Sequence, residues 1–133
     1  MKNMTKVLIV DDMQDIRYTV KTGLEGLNKG YEVIEAKDGE EAMKMISQDK
    51  PDLILMDVMM PGEDGLDVTL KIKNDPSFKD IPVIILTAKT DNLTRGTSEV
   101  TAEAFVEKPF DINTLDELIQ ATLMQREVSD GNT

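Results

Sequence analysis

Short, unbroken apolar runs alternate along this chain with longer stretches in which apolar residues recur every three or four positions. The first pattern is that of strands buried on both faces, and the second that of amphipathic helices. Residues 6–10, 32–36, 53–56, 83–86 and 105–107 are the expected strands. Residues 15–27 place Ile16, Val20, Leu24 and Leu27 on one helical face, and Asn28-Lys29-Gly30 ends them. Asp38 reads as the N-cap of a helix carrying Ala42, Met45 and Ile46. Glu40 and Glu41 lie in its first turn, where the helix dipole favours acids, and Lys50-Pro51 breaks it. Asp111 caps a last helix carrying Leu115, Leu118, Ile119 and Leu123.

Two stretches are harder to read. Leu66, Val68, Leu70 and Ile72 alternate, which taken alone indicates a strand. Parallel strands need long crossovers, however, so Gly65–Lys73 is expected to be helical. A further helix is required between Thr87 and Phe105, where residues 90–98 are mostly weak helix formers. A short or irregular fourth helix is expected there. Residues 128–133 are polar and are expected to form a disordered tail after a domain spanning 1–127. The sum is a (βα)5 α/β fold: an open, parallel, five-stranded sheet with helices on both faces.

Composition narrows the chemistry. A chain of 133 residues is one domain. It has no cysteine and no histidine, which excludes disulfides, zinc–thiolate sites, thiol nucleophiles and an imidazole base of its own. Twenty-six acids against fifteen bases give a net charge of −11, so direct binding of nucleic acid or an anionic membrane is not expected. No apolar segment approaches the roughly 18 residues of a membrane span, and the longest apolar run near the start, Val7–Val10, is too short for the core of a signal peptide. A cytoplasmic location is expected.

In open α/β sheets, sites form at the carboxyl ends of the strands. Asp11 and Asp12 follow the first expected strand, Asp57 the third, Thr87 the fourth, and Lys108-Pro109 the fifth. Each residue has an ordinary structural role, as helix cap, strand end or surface lysine. Together, at four strand ends, they describe a site of three carboxylates, a hydroxyl and an ammonium. Clustered aspartates repel, and a hard divalent cation relieves the repulsion. Oxygen ligands without His or Cys suit Mg²⁺. An ammonium and a hydroxyl suit a phosphoryl group, which leaves one carboxylate to act as nucleophile.

These same segments, VLIVDD, LILMDVMMPGEDG, VIILTAK and FVEKPF, resemble the receiver domains of two-component response regulators, and the likeness runs from about residue 6 to 126. It is strongest to stand-alone receivers of the chemotaxis-regulator type. The resemblance implies a flavodoxin-like strand order of 2-1-3-4-5. It implies a phosphorelay switch in which Asp57 accepts a phosphoryl group from a phosphohistidine on a sensor histidine kinase or histidine phosphotransfer protein. Mg²⁺ would be held by Asp12, Asp57, the Met59 backbone carbonyl and, largely through water, Asp11. Thr87 and Lys108 would hold phosphoryl oxygens, with Thr87 and Phe105 as the switch pair and Lys108-Pro109 a cis bond. The fourth helix, fifth strand and fifth helix would form the output face, and self-phosphorylation and hydrolysis would be weak.

The chain departs from the family pattern in two places. Thr87 and Lys108 are 21 positions apart, one fewer than the family norm, and Thr101 replaces a usual glycine. Apolar Met59 and basic Lys89 flank the expected path of the hydrolytic water and would lengthen the phosphoryl lifetime. Glu63 reads as solvated charge, and Met56 as core. An Mg²⁺-dependent aspartyl phosphohydrolase is the alternative; it would want an acid at position 59, where Met59 stands. The sequence is either a natural single-domain receiver or part of a longer regulator.

Overall fold

The computed structural model describes residues 4–88 and 102–131, with the side chains beyond residue 125 excepted. Its elements are β1 (Thr5–Val10), α1 (Gln14–Gly26), β2 (Tyr31–Ala36), α2 (Gly39–Gln48), β3 (Leu53–Asp57), α3 (Gly65–Lys73), β4 (Val83–Thr87), β5 (Ala104–Glu107) and α4 (Ile112–Gly131). The strands form one parallel sheet in the order β2-β1-β3-β4-β5, as the resemblance implied. The fourth helix expected between Thr87 and Phe105, with Lys89 and Thr101, lies outside the described residues. The expected last helix is therefore α4. It continues through Gly131, past the boundary at 127 where the polar tail was expected to begin.

Successive residues of a strand point to opposite faces, and here both faces are covered. Val7, Ile9, Leu53, Leu55, Ile84 and Leu86 meet Val20 and Leu24 of α1 and Leu115 and Ile119 of α4. Leu8, Val10, Ile54, Met56, Val83 and Ile85 meet Ala42 and Ile46 of α2 and Val68 and Ile72 of α3. This explains why the central strands read as unbroken apolar runs, with Met56 wholly buried as expected.

The helix ends follow local chemistry. The Asp38 side chain accepts the Glu41 N–H at 2.8 Å, while Glu41 accepts the Lys37 N–H at 3.0 Å. Asp111 accepts the Thr114 N–H at 2.7 Å. In α3, Val68 and Ile72 are buried one turn apart, while Leu66 and Leu70 are only half-buried. The strand-like alternation is thus compatible with a helix lying on the sheet.

Gly65 opens α3 hard against β3. A Cβ there would stand 1.9 Å from the Asp57 carbonyl oxygen, and its N–H donates to the Val58 carbonyl at 2.9 Å. Gly65→Ala is therefore expected to destabilise the fold by roughly 1–3 kcal/mol in urea unfolding. Gly26→Ala, where a Cβ meets nothing within 4 Å, should be neutral or slightly stabilising. Equal stability of the two variants would contradict this packing.

Candidate functional site

Sheet register brings the expected residues together. Val10 is opposite Met56, so Asp11 emerges beside Asp57. Asp57 is opposite Leu86, which places Thr87 one residue further along the neighbouring strand. Thr87 is opposite Glu107, and the next residue is Lys108. Four distant segments therefore end at one edge of the sheet. The Lys108 N–H donates to the Thr87 carbonyl at 2.7 Å, and the Lys108-Pro109 bond is cis.

One oxygen each of Asp11, Asp12 and Asp57 lies within 4.8 Å of the others. Asp11 is fully buried, Asp57 nearly so, and Asp12 is exposed. Lys108 Nζ donates to Asp57 Oδ1 at 2.9 Å and to Asp11 Oδ2 at 3.2 Å. The other Asp11 oxygen accepts the Met13 N–H at 2.9 Å. Buried Asp11 thus has a fixed partner for each oxygen, while Asp12 stands at the rim.

The electrostatics follow from the arrangement. Burial is the main cause that raises the Asp57 carboxyl above the usual carboxylate range. The hydrogen bond from Lys108 opposes it, and the charges of Asp11 and Asp12 add to it. Burial disfavours the Lys108 ammonium, but its hydrogen bond to Asp57 and the charges of Asp57 and Asp11 outweigh that, and its pKa is raised. Among the described residues, one ammonium, that of Lys108, stands against the cluster of three carboxylates. The donor set is entirely oxygen, which fits a hard divalent cation such as Mg²⁺, with Asp12 and Asp57 the reachable ligands and Asp11 behind them.

The remaining expected residues divide. Met59 is mostly exposed and lines, with Asp12, a cleft of about 600 Å³ formed by the loop after β3. Thr87 is buried at the end of β4. Phe105 is half-buried against the core on the α2 and α3 side. Lys89 lies outside the described residues. Glu63 is more than solvated charge: it pairs with Lys71, and a Cβ on Gly39 would meet its Oε1 at 2.6 Å. Sequence reasoning missed Arg17, whose Nη1 donates to the Asp11 carbonyl at 2.7 Å and whose Nε donates to Glu35 Oε1 at 3.1 Å. No sequence signal marks it, because the pairing depends on the register of β1 against β2.

Residues 7–120 match the family model of the response regulator receiver domain. Among sequence relatives, the phosphate regulon transcriptional regulatory protein PhoB of Pseudomonas aeruginosa is 41% identical over 119 residues, covering 88% of this chain and 51% of that protein. A probable transcriptional regulator, ycf27, of Guillardia theta is 43% identical over 119 residues, covering 89% of this chain and 45% of its own. The chain spans about half the length of these relatives. Among solved structures, the chemotaxis response regulator CheY4 of Vibrio cholerae aligns with a TM-score of 0.81 at 33% identity, covering 90% of this chain and 98% of that one. The response regulator TrrA of Thermotoga maritima, solved in complex with Mg²⁺ and BeF, aligns at 0.78 with 34% identity, covering 90% of this chain and 99% of its own.

A raised acid pKa has a definite linkage sign. The cost of ionising Asp57 in the folded state is absent below its unfolded pKa, grows as pH rises from there toward the raised folded value, and is complete above it. Asp57→Asn should therefore raise the melting temperature at pH 7 without Mg²⁺, and the gain should vanish near pH 3. Saturating Mg²⁺ should stabilise the wild type, by about 2.7 kcal/mol at 100 times its Kd, and not the variant. Differential scanning calorimetry checks both, and a lower melting temperature for Asp57→Asn at pH 7 would contradict the electrostatic account.

Proposed function

This chain belongs to the response regulator receiver domain family and is a phosphorylation-dependent signalling switch; we propose that Asp57 is its phosphoryl acceptor. The observation that carries this reading is the Asp57 carboxylate, hydrogen-bonded to Lys108 and clustered with Asp11 and Asp12. Receiver domains are switches rather than enzymes in the ordinary sense. The donor would be a phosphohistidine of a sensor histidine kinase or a histidine phosphotransfer protein, which fits a chain with no histidine of its own. The downstream partner is a protein whose state depends on the switch, and the reading implies a cytoplasmic location.

In the proposed reaction an Asp57 oxygen forms a bond to phosphorus in line with the breaking P–N bond, and the donor imidazole leaves with the electron pair of that bond. Mg²⁺, when bound by Asp12, Asp57 and the Met59 carbonyl with Asp11 behind, would supply neutralisation of phosphoryl oxygen charge. Lys108 stays hydrogen-bonded to the acceptor side and neutralises the equatorial oxygens as charge spreads onto them. Thr87 donates its hydroxyl to a phosphoryl oxygen. As Thr87 moves toward that oxygen, Phe105 would turn inward, which biases β5 and α4, together with the segment between β4 and β5. A coupling of about 1–3 kcal/mol is enough to shift such an equilibrium.

Self-phosphorylation from small donors and self-hydrolysis would be weak. Met59 cannot orient a hydrolytic water, and Lys89 would not polarise one, so the acyl phosphate should outlast that of fast-hydrolysing receivers. A phosphohydrolase reading is not favoured, since Met59 stands where its second acid would be needed.

Incubation with acetyl phosphate and Mg²⁺, read by intact mass, tests the reading. One added phosphoryl group is expected on the wild type, none on Asp57→Asn, and labelling slowed about 10²–10³-fold in Lys108→Ala. Unchanged labelling of Asp57→Asn would overturn the assignment.

A further inference from the structure

We infer that Arg17 is a positioning residue for the metal-binding carboxylates, acting through the Asp11 main chain, with Glu35 holding it in place. This rests on the proposed Mg²⁺-assisted acceptor chemistry. Arg17 lies in the first turns of α1, and its side chain is 15% exposed, too little for a solvated surface arginine. Its guanidinium uses two different nitrogens on two different strands' ends: Nη1 on the Asp11 carbonyl, just past β1, and Nε on Glu35 of β2. The peptide that leaves this carbonyl is the one that enters Asp12. The Asp11 N–H donates to the Ala36 carbonyl at 3.1 Å, so the turn is anchored to β2 on its entering side by the backbone and on its leaving side by Arg17.

The other restraints act on Asp11 alone. Its carboxylate is shared between the Met13 N–H and Lys108. Asp12 is exposed and makes no hydrogen bond among the described residues, so the peptide that Arg17 holds is the restraint on where Asp12 enters the site. A planar fork can hold two acceptors at a fixed angle, and an ammonium cannot.

Two effects of Arg17 on a bound cation have opposite signs. Its charge alone would repel Mg²⁺, so removing it would tighten binding. Its geometry orients Asp12, so removing it would weaken binding. Glu35 pairs with the guanidinium at 3.1 Å and compensates its charge, which leaves geometry as the larger effect. Partners that orient metal ligands typically change affinity by about 10–100-fold when lost.

The test is isothermal titration calorimetry of the full chain with MgCl₂ on wild type, Arg17→Gln and Arg17→Lys, with acetyl phosphate labelling across Mg²⁺ concentrations as a second readout. Arg17→Gln should weaken Mg²⁺ binding about tenfold. Arg17→Lys, which keeps the charge, should recover only part of that loss. Labelling rates at saturating Mg²⁺ should stay near wild type while the half-saturating Mg²⁺ concentration rises. Tighter binding in Arg17→Gln, or binding in Arg17→Lys equal to wild type, overturns the inference; the lysine variant decides it should the glutamine variant not fold. A wild type that binds no Mg²⁺ overturns the acceptor chemistry and this inference together, whereas a binding wild type with unchanged variants overturns this inference alone.

Discussion

Two buried carboxylates and one at the rim share a region less than 5 Å across at the carboxyl edge of the sheet, and a single ammonium lies between the buried pair. At an effective dielectric of about 20, unit charges at such separations repel by roughly 3 kcal/mol. The fold holds them together nonetheless, because each is placed by a strand whose own position is fixed by packing on both faces. Lys108 relieves part of the repulsion, and the remainder is what makes the cluster an acceptor of positive charge. Burial is the main cause that raises the Asp57 pKa, the charges of Asp11 and Asp12 add to it, and the excess of carboxylates suits the site to a divalent cation.

The sheet supplies this geometry without any long-range signal in the sequence beyond apolar runs. Once β3 lies between β1 and β4, the residue after each strand must emerge at the same edge, and register alone brings Asp11, Asp57 and Thr87 into line. Gly65 shows how tightly the helices pack behind that edge, since no side chain larger than hydrogen fits between α3 and the Asp57 carbonyl. The site is therefore sensitive to changes in groups that never touch it.

Much of this was legible in the sequence. Strands buried on both faces leave unbroken apolar runs, and Asp38 and Asp111 mark helix starts by their capping chemistry. The five candidate site residues could be read as the residues that follow strands. The α3 segment was ambiguous because Leu66, Val68, Leu70 and Ile72 satisfy a strand pattern while they also form two pairs one helical turn apart, of which Val68 and Ile72 are the buried pair. What could not be read were contacts set by register or by close approach: the tie from Arg17 to Asp11 and Glu35, the pairing of Glu63 with Lys71, and the fit of Gly65 against β3. Each joins residues whose separation along the chain carries no periodic signature.

The central claim is that the Asp57 carboxylate sits in an excess of buried negative charge that a divalent cation relieves. Side-chain carboxyl carbon NMR of the full chain, titrated with acid in the absence and presence of Mg²⁺, measures it directly. Without Mg²⁺ the Asp57 carboxyl should titrate above the ordinary aspartate range, and with Mg²⁺ it should remain ionised to distinctly lower pH. An Asp57 that titrates at or below the ordinary value and does not respond to Mg²⁺ would contradict the account.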